Sequence, residues 1–460
     1  MTHSRWLLLA LALVLGAILR FESLGQPCFW LDEILGATLT KSAIVQPASH
    51  WITGVDREHG PLYYATQLAS HDEFTGRLPA ALFGLCTIPL VWLAAQKNAI
   101  AALLLAASPL HVYYSREARP YALLMLLTAT LVVALLREAR PLVVGAILLA
   151  LLYTSATAGP VIAACAVTTL LVARKRLLAI AAVATLLVPL LYRGKPWAIS
   201  THDFPPLDLR FFSRVLHALT VSAFGDDIRG RTALVLLVFA IVGAIVLARR
   251  DRHSAIVIIA MTVLPAIFAI APLWYSGHFF ATRYLSPSLI GFVVLAGAGI
   301  AACRPQLLAL AITAAVLTQT WDTSRREPYQ KLDWRLIAQT LREHARPGDV
   351  IATAESYSYI SLQYYLDAPG VHFVQLDSVP LAERWTRGAP ATFLVTAGYS
   401  TDVSRWMCRF PLLLASPLEG FRLHYAHDFL AERSTLAEQR AVAMALTPTF
   451  EMGPEDDLVL

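Results

Sequence analysis

The chain has 460 residues, of which 57% are hydrophobic and only 15% charged, and its formal net charge is +5. Soluble globular domains carry about 25% charged residues, so a mean hydropathy of +0.57 excludes an ordinary soluble protein and describes a polytopic membrane protein with some soluble mass attached. The mild positive balance fits basic cytoplasmic loops; nucleic-acid binding would need basic residues gathered on one face.

In chain order, residues 5–22 read as a first span. The same run would suit a secretory signal peptide, but Glu22–Pro27 offers no Ala-x-Ala cleavage site, so we read it as uncleaved. Further apolar runs lie at 77–95, 98–114, 120–136, 141–156, 159–173, 177–192, 232–248, 255–274, 285–303 and 306–321. A span needs roughly 20 mostly apolar residues, fewer where protein covers its ends, which makes about eleven spans. Arg5, Lys97, Arg137, Arg140, Arg174, Lys175, Arg176, Arg249, Arg250, Arg252 and Arg304 fall at alternate span ends. That positive-inside pattern predicts a cytoplasmic N-terminus and, for an odd number of spans, an extracytoplasmic C-terminal part.

Three segments do not fit a bilayer. Residues 23–76 are expected to form a first outer loop, with a short interfacial helix over Tyr63–Ala69 opened by Pro61. Residues 193–231 are expected to form a second, in which Pro205 and Pro206 stop any helix. Residues 322–460 read as a soluble tail. It alternates a helix (Leu332–His344), a strand (Val350–Thr353), a helix (Tyr357–Tyr365) and strands at Val371–Val374, Thr392–Thr396 and Pro411–Ser416. Alternation of this kind predicts a small α/β domain. No GxGxxG or phosphate loop marks a nucleotide site there, and five cysteines without CxxC spacing mark neither a zinc site nor a disulfide framework.

Chemistry is sought where charge meets the membrane edge. Asp32 and Glu33 follow Phe29-Trp30-Leu31 just beyond the first span. Alone, the pair reads as a helix start, with Asp32 the N-cap of a helix running to about Lys41. The short 115–120 loop carries Arg116, Glu117 and Arg119 on the predicted outer side, where basic residues are disfavoured. Either a local Arg–Glu network with snorkelling stems or an anion site would account for them. Arg283 repeats the anomaly beside Tyr284, with an interfacial anchor as the structural alternative. A planar guanidinium fork suits a phosphate. His59 precedes Tyr63 and Tyr64 in Glu58-His59-Gly60-Pro61. Acids and cations on one membrane face suit transfer from a lipid-linked phosphate: an acid takes a hydroxyl proton, and the cations meet charge on the leaving phosphate.

Five stretches taken as an ordered set resemble the motifs of bacterial glycosyltransferase family 39-like proteins of the GT-C superfamily, relatives of the protein O-mannosyltransferases and the lipid A aminoarabinose transferase. They are Trp30–Glu33, His59–Tyr64, Arg77–Gly84, Ser108–Tyr121 and Arg283–Pro287. The resemblance covers residues 1–125 well and 283–287 locally, and the tail is similar to the outer domain of many such proteins. It implies a GT-C-like transmembrane domain over 1–321 with a periplasmic α/β domain over 322–460, in a bacterial inner membrane. It further implies a polyprenyl-phosphate-sugar donor, a lipid, glycan or protein acceptor, and inversion at the anomeric carbon. Asp32 would be the base, and Glu33 its partner or a ligand for a divalent cation. Glu117 would be a second acid or metal ligand. Arg116, Arg119 and Arg283 would hold donor phosphate, with His59, Tyr63, Tyr64, Tyr121 and Tyr284 lining the substrate. One departure is Gly60, where the family usually has proline, and the freedom of glycine loosens the expectation for His59.

Two other classes compete. A transporter would show ionisable residues in mid-span, paired repeats and broken helices, whereas here the charges cluster at span ends and no repeat is evident. A non-catalytic glycan-assembly protein on the same scaffold would differ only in activity.

Overall fold

A computed structural model of the chain describes residues 2–44, 59–172, 205–223, 230–276, 280–303, 306–326, 334–344, 347, 350–353, 356–366, 369–375, 393–396 and 422–425. The expected span 177–192, the expected strand Pro411–Ser416 and residue Glu58 lie outside them. The chain divides into two units, Met1–Gln26 with Gly36–Gln330, and Pro27–Leu35 with Lys331–Leu460.

The first unit is helical. Its elements are α1 (Thr2–Phe21), α2 (Leu31–Ile44, whose first residues group with the second unit), α3 (Pro61–Thr66), α4 (Glu73–Ala94), α5 (Ala99–Ala106), α6 (Pro109–Ser115) and α7 (Tyr121–Leu136). Then come α8 (Pro141–Leu152), α9 (Gly159–Val172), α10 (Leu209–Thr220), α11 (Gly230–Arg250), α12 (Arg252–Ser276), α13 (Ser286–Ala301) and α14 (Gln306–Arg326). Among the described residues, four helices are long and apolar enough to cross a membrane: Glu73–Ala94, Thr232–Arg250, Arg252–Tyr275 and Thr282–Ala301. Shorter apolar helices cover Tyr121–Leu136, Pro141–Leu152 and Ala156–Val172. Outer helices leave Leu7, Leu142, Leu171, Leu234 and Ile241 exposed, the apolar surface that a bilayer covers.

Helix α13 is the axis of this unit and is buried along nearly its whole length. Three of its glycines admit a different neighbour each. A Cβ on Gly291 would meet Thr262 Oγ1 of α12 at 2.1 Å, one on Gly297 would meet Ala101 of α5 at 2.8 Å, and one on Gly299 would meet the Phe239 carbonyl of α11 at 1.9 Å. In lipid the tails are as apolar as the side chains, so close backbone approach at small residues does much of the packing.

Four local readings are corrected. The run 98–114 is not one helix: α5 ends at Ala106, and α6 starts at Pro109 because proline has no N–H to give to the preceding turn. Asp32 is not an N-cap, since α2 already begins at Leu31 and Asp32 lies in its first turn. The 193–231 segment is not all loop: α10 occupies 209–220, capped where Asp208 accepts the Phe211 N–H at 2.9 Å, and it buries Phe211, His217 and Ala218 on one face. Also, α14 continues to Arg326, past the expected boundary at 321.

In the second unit, α15 (Trp334–His344), β1 (Val350–Thr353), α16 (Ser356–Tyr365), β2 (His372–Gln375), β3 (Phe393–Thr396) and β4 (Arg422–Tyr425) follow one another. The strands make a sheet of order β2-β1-β3-β4, with β1 parallel to β2 and β3, and β3 antiparallel to β4. Ile351 of β1, Trp334, Ile337 and Leu341 of α15, and Leu362 of α16 are buried. The 27–35 segment contributes Cys28, Phe29 and Ile34, also buried.

Candidate active site

The site residues of the first unit gather on the short segment between α6 and α7. Residues 101–125 are all buried, so Ser115–Pro120 is an internal turn and not an exposed loop. Tyr63 of α3 donates from its hydroxyl to the Ala118 carbonyl at 2.5 Å, joining the His59–Tyr64 motif to this turn. The rings continue the contact: His59 lies 5.6 Å from Tyr63, and Tyr63 5.0 Å from Tyr64. Gly36 of α2 faces the same hydroxyl, since a Cβ there would come within 3.1 Å of Tyr63 Oη.

His59 is held by backbone pairing. It bridges Ser155 in antiparallel fashion, Gly60 N–H donates to the Thr154 carbonyl at 3.0 Å, and Leu62 N–H to the Tyr153 carbonyl at 2.9 Å. Gly60 sits at φ −84°, ψ 167°, a conformation open to any residue. Its glycine is required by proximity: a Cβ would lie 2.0 Å from the Tyr153 carbonyl oxygen. The departure at this position therefore tightens His59 rather than loosening it.

The three arginines divide. Arg119 and Arg283 both stand 6.0 Å from the Tyr121 ring centre, within cation–π range, and Arg283 is also 5.6 Å from the Tyr284 ring. Tyr114 stacks edge-on to Tyr121 at 5.0 Å. Its hydroxyl bonds Thr282, within electrostatic reach of Glu117 and Arg283. Thr282 in turn donates to the Ala223 carbonyl at 2.7 Å, and α10 packs Phe211 on Phe280 at 5.1 Å, so the Arg283 turn is braced by the second loop's helix. Arg116 bonds the end of α1. Its guanidinium donates to the carbonyls of Leu19 at 2.9 Å and Glu22 at 2.7 Å, satisfying the end of α1 where no intrahelical partner remains.

Two further buried arginines at the same helix end were given no role from sequence, although Arg77 opens one of the five motif stretches. Arg77 donates to the Leu24 carbonyl at 3.2 Å. Arg20 donates to the carbonyls of Gly16 at 2.9 Å and Ala106 at 3.0 Å, and bonds His111 Nδ1. Their signal was available, because both lie at predicted outer span ends, the anomaly that singled out Arg116. Gly84 makes room for this arrangement: a Cβ there would lie 2.0 Å from Ser115 Oγ and 3.0 Å from Arg20 Nε.

In the second unit, Glu33 is buried and Asp32 partly so, and Glu33 Oε2 accepts the Trp30 N–H at 3.2 Å, closing the start of α2. Glu33 and Glu117 are the candidate cation ligands, but among the described residues no group of three or more His, Cys, Asp or Glu side chains is disposed to hold a metal ion.

No protein-family profile matches the chain, and no curated protein matches it. Solved structures do. ArnT from Cupriavidus metallidurans in the apo state superposes with a TM-score of 0.55 at 15% identity, over 94% of this chain and 100% of that one. ArnT from the same organism bound to undecaprenyl phosphate gives a TM-score of 0.54 at 15% identity with the same coverage. The archaeal oligosaccharyltransferase AglB from Archaeoglobus fulgidus, complexed with an inhibitory peptide and a dolichol-phosphate, gives 0.50 at 11% identity, over 93% of this chain and 75% of that one. The chain thus shares its fold with the ArnT and AglB structures, and its long apolar helices describe a multi-pass membrane protein.

Proposed function

We propose that this chain is an inverting glycosyltransferase that moves a sugar from a polyprenyl-phosphate carrier to an acceptor hydroxyl on the outer, periplasmic face of a bacterial inner membrane. The observation that carries the reading is the pair of cations, Arg119 and Arg283, directed at one buried tyrosine ring. Two planar guanidinium forks at one ring offer paired donors that a phosphate can share. The carriers bound in the ArnT and AglB structures, undecaprenyl phosphate and a dolichol-phosphate, support a phosphate on a long isoprenoid chain as that anion.

In this mechanism Asp32 takes the proton of the acceptor hydroxyl. The acceptor oxygen then attacks the anomeric carbon from the face opposite the phosphate. The bond from that carbon to the phosphate oxygen breaks, its electron pair leaves on the polyprenyl phosphate, and Arg119 and Arg283 meet the charge that gathers there. Glu33 holds the first turn of α2 in place. Glu117, between Arg116 and Arg119 in the sequence, is the second acid. His59, Tyr63 and Tyr64 border the sugar, and Tyr121 and Tyr284 flank the arginines. A hexose or pentose, in the manner of mannosyltransferases, is the donor sugar, and the acceptor is a lipid, glycan or protein.

The test is purified full-length protein with a panel of polyprenyl-phosphate sugars, scored for free carrier and for sugar transferred. One donor class should turn over. Inactivity with every donor, accompanied by solute uptake into proteoliposomes, would replace this reading with a transporter.

A further inference from the structure

The start of α2 is tied to the tail by contacts internal to the second unit. Tyr365, the last residue of α16, accepts the Phe29 N–H on its hydroxyl at 2.7 Å. Its neighbour Tyr364 sets its ring edge-on to Phe29 at 6.2 Å. Arg335 of α15 donates to Cys28 Sγ from its backbone N–H at 3.4 Å and from Nε at 3.2 Å. Arg342 donates to the Tyr365 carbonyl, which fixes the end of α16 on α15. The next amide along, Trp30 N–H, is taken by Glu33. Two consecutive amides before the helix thus have side-chain acceptors, one from α2 itself and one from the tail.

We infer that Tyr365 is a positioning residue for Asp32: by holding the Phe29 amide it sets the entry of α2 and so the place of the carboxylate in its first turn. The inference rests on Asp32 being the base. The physical reason is leverage. Asp32 is three residues beyond Phe29, Trp30 between them is fixed by its amide bond to Glu33 and by its carbonyl, which accepts the Ile34 N–H, Leu31 already belongs to α2, and a shift of about 1 Å in a reacting group costs on the order of 10²-fold in rate. The tail is then part of the catalytic apparatus through Tyr365.

Full-length Tyr365→Phe, assayed with an undecaprenyl-phosphate hexose that the wild type accepts, tests it. Expected are a kcat lower by roughly tenfold to a hundredfold with donor KM unchanged, and amide exchange in the 28–33 segment faster by roughly tenfold, the worth of one hydrogen bond. Wild-type kcat, wild-type exchange, or a rise in KM alone would each overturn it. If Tyr365→Phe does not yield folded protein, Arg335→Met removes the Arg335 side-chain donor to Cys28 and is read the same way. Asp32→Asn run in parallel separates the two ideas. Normal turnover there removes the base assignment itself, whereas an inactive Asp32→Asn beside a fully active Tyr365→Phe removes only the role of the tail.

Discussion

Arg119 and Arg283, from opposite halves of the helical unit, present their guanidinium carbons at the same 6.0 Å from the ring of Tyr121. A phenol face draws a cation electrostatically and holds a planar guanidinium better than an ammonium. Arg283→Lys and Arg119→Lys keep charge but lose the fork, so kcat/KM for the lipid donor should fall about tenfold to a hundredfold, the range for a charged hydrogen bond. Donor titrations of the folded variants give the answer, and undiminished donor use by both would remove the shared anion site.

Asp32→Asn keeps the size of the side chain and removes the proton acceptor. Turnover should drop by about 10²–10⁴-fold, the typical contribution of a general base, while donor binding persists. Glu33→Gln retains an acceptor for the Trp30 N–H, so its loss should stay below about tenfold, as glutamine serves in the same capping role. Single-turnover rates on donor-saturated protein distinguish the two.

Arg116 should behave unlike its neighbours. Its partners are the carbonyls of Leu19 and Glu22, so Arg116→Ala leaves buried acceptors unmatched at about 1–3 kcal/mol each. The thermal unfolding midpoint in detergent should fall markedly. Any protein that remains folded should keep a near-normal donor KM; a selective rise in KM would return Arg116 to the phosphate site.

Close helix packing around α13 makes a paired stability test. In Gly299→Ala the new Cβ would meet a backbone carbonyl at 1.9 Å, whereas nothing lies within 4 Å of a Cβ at Gly145. Gly299→Ala should therefore destabilise by about 1–3 kcal/mol or more. Gly145→Ala should stabilise by about 0.5–1 kcal/mol through the entropy of glycine in a helix. Equal shifts in unfolding midpoint would contradict the packing.

A pH effect is expected at Asp72, which caps α4. Its carboxyl accepts the Thr75 backbone N–H and hydroxyl, both at 2.7 Å. These bonds, the backbone one foremost, hold it below the usual carboxylate range. A depressed folded pKa means stability that is complete above the unfolded value of about 3.9 and is lost as pH falls through the folded one. The difference in unfolding midpoint between wild type and Asp72→Ala should be constant above roughly pH 5 and shrink below pH 4. A difference independent of pH would show that the charge contributes nothing.

Much of this was legible in residue order, and the reason differs by level. A helix in lipid must satisfy its own backbone and present apolar side chains, so length and hydropathy mark it without reference to neighbours. Helices duly occupy ten of the eleven apolar runs, the eleventh lying outside the described residues. Short tail elements such as Val350–Thr353 were readable for a different local reason, a short apolar, β-branched run bounded by turn residues. What only tertiary structure decided is which partner each polar group meets. Arg116 and Arg119 are three places apart in one turn, yet one closes the carbonyls of α1 and the other faces Tyr121, because helix ends from distant parts of the chain decide what each guanidinium can reach. Gly60 looked permissive in sequence, and it is the Tyr153 carbonyl, unseen there, that demands it. Local propensity is written in neighbouring residues, whereas the pairing of buried donors and acceptors is settled by backbones that meet only after the chain has folded.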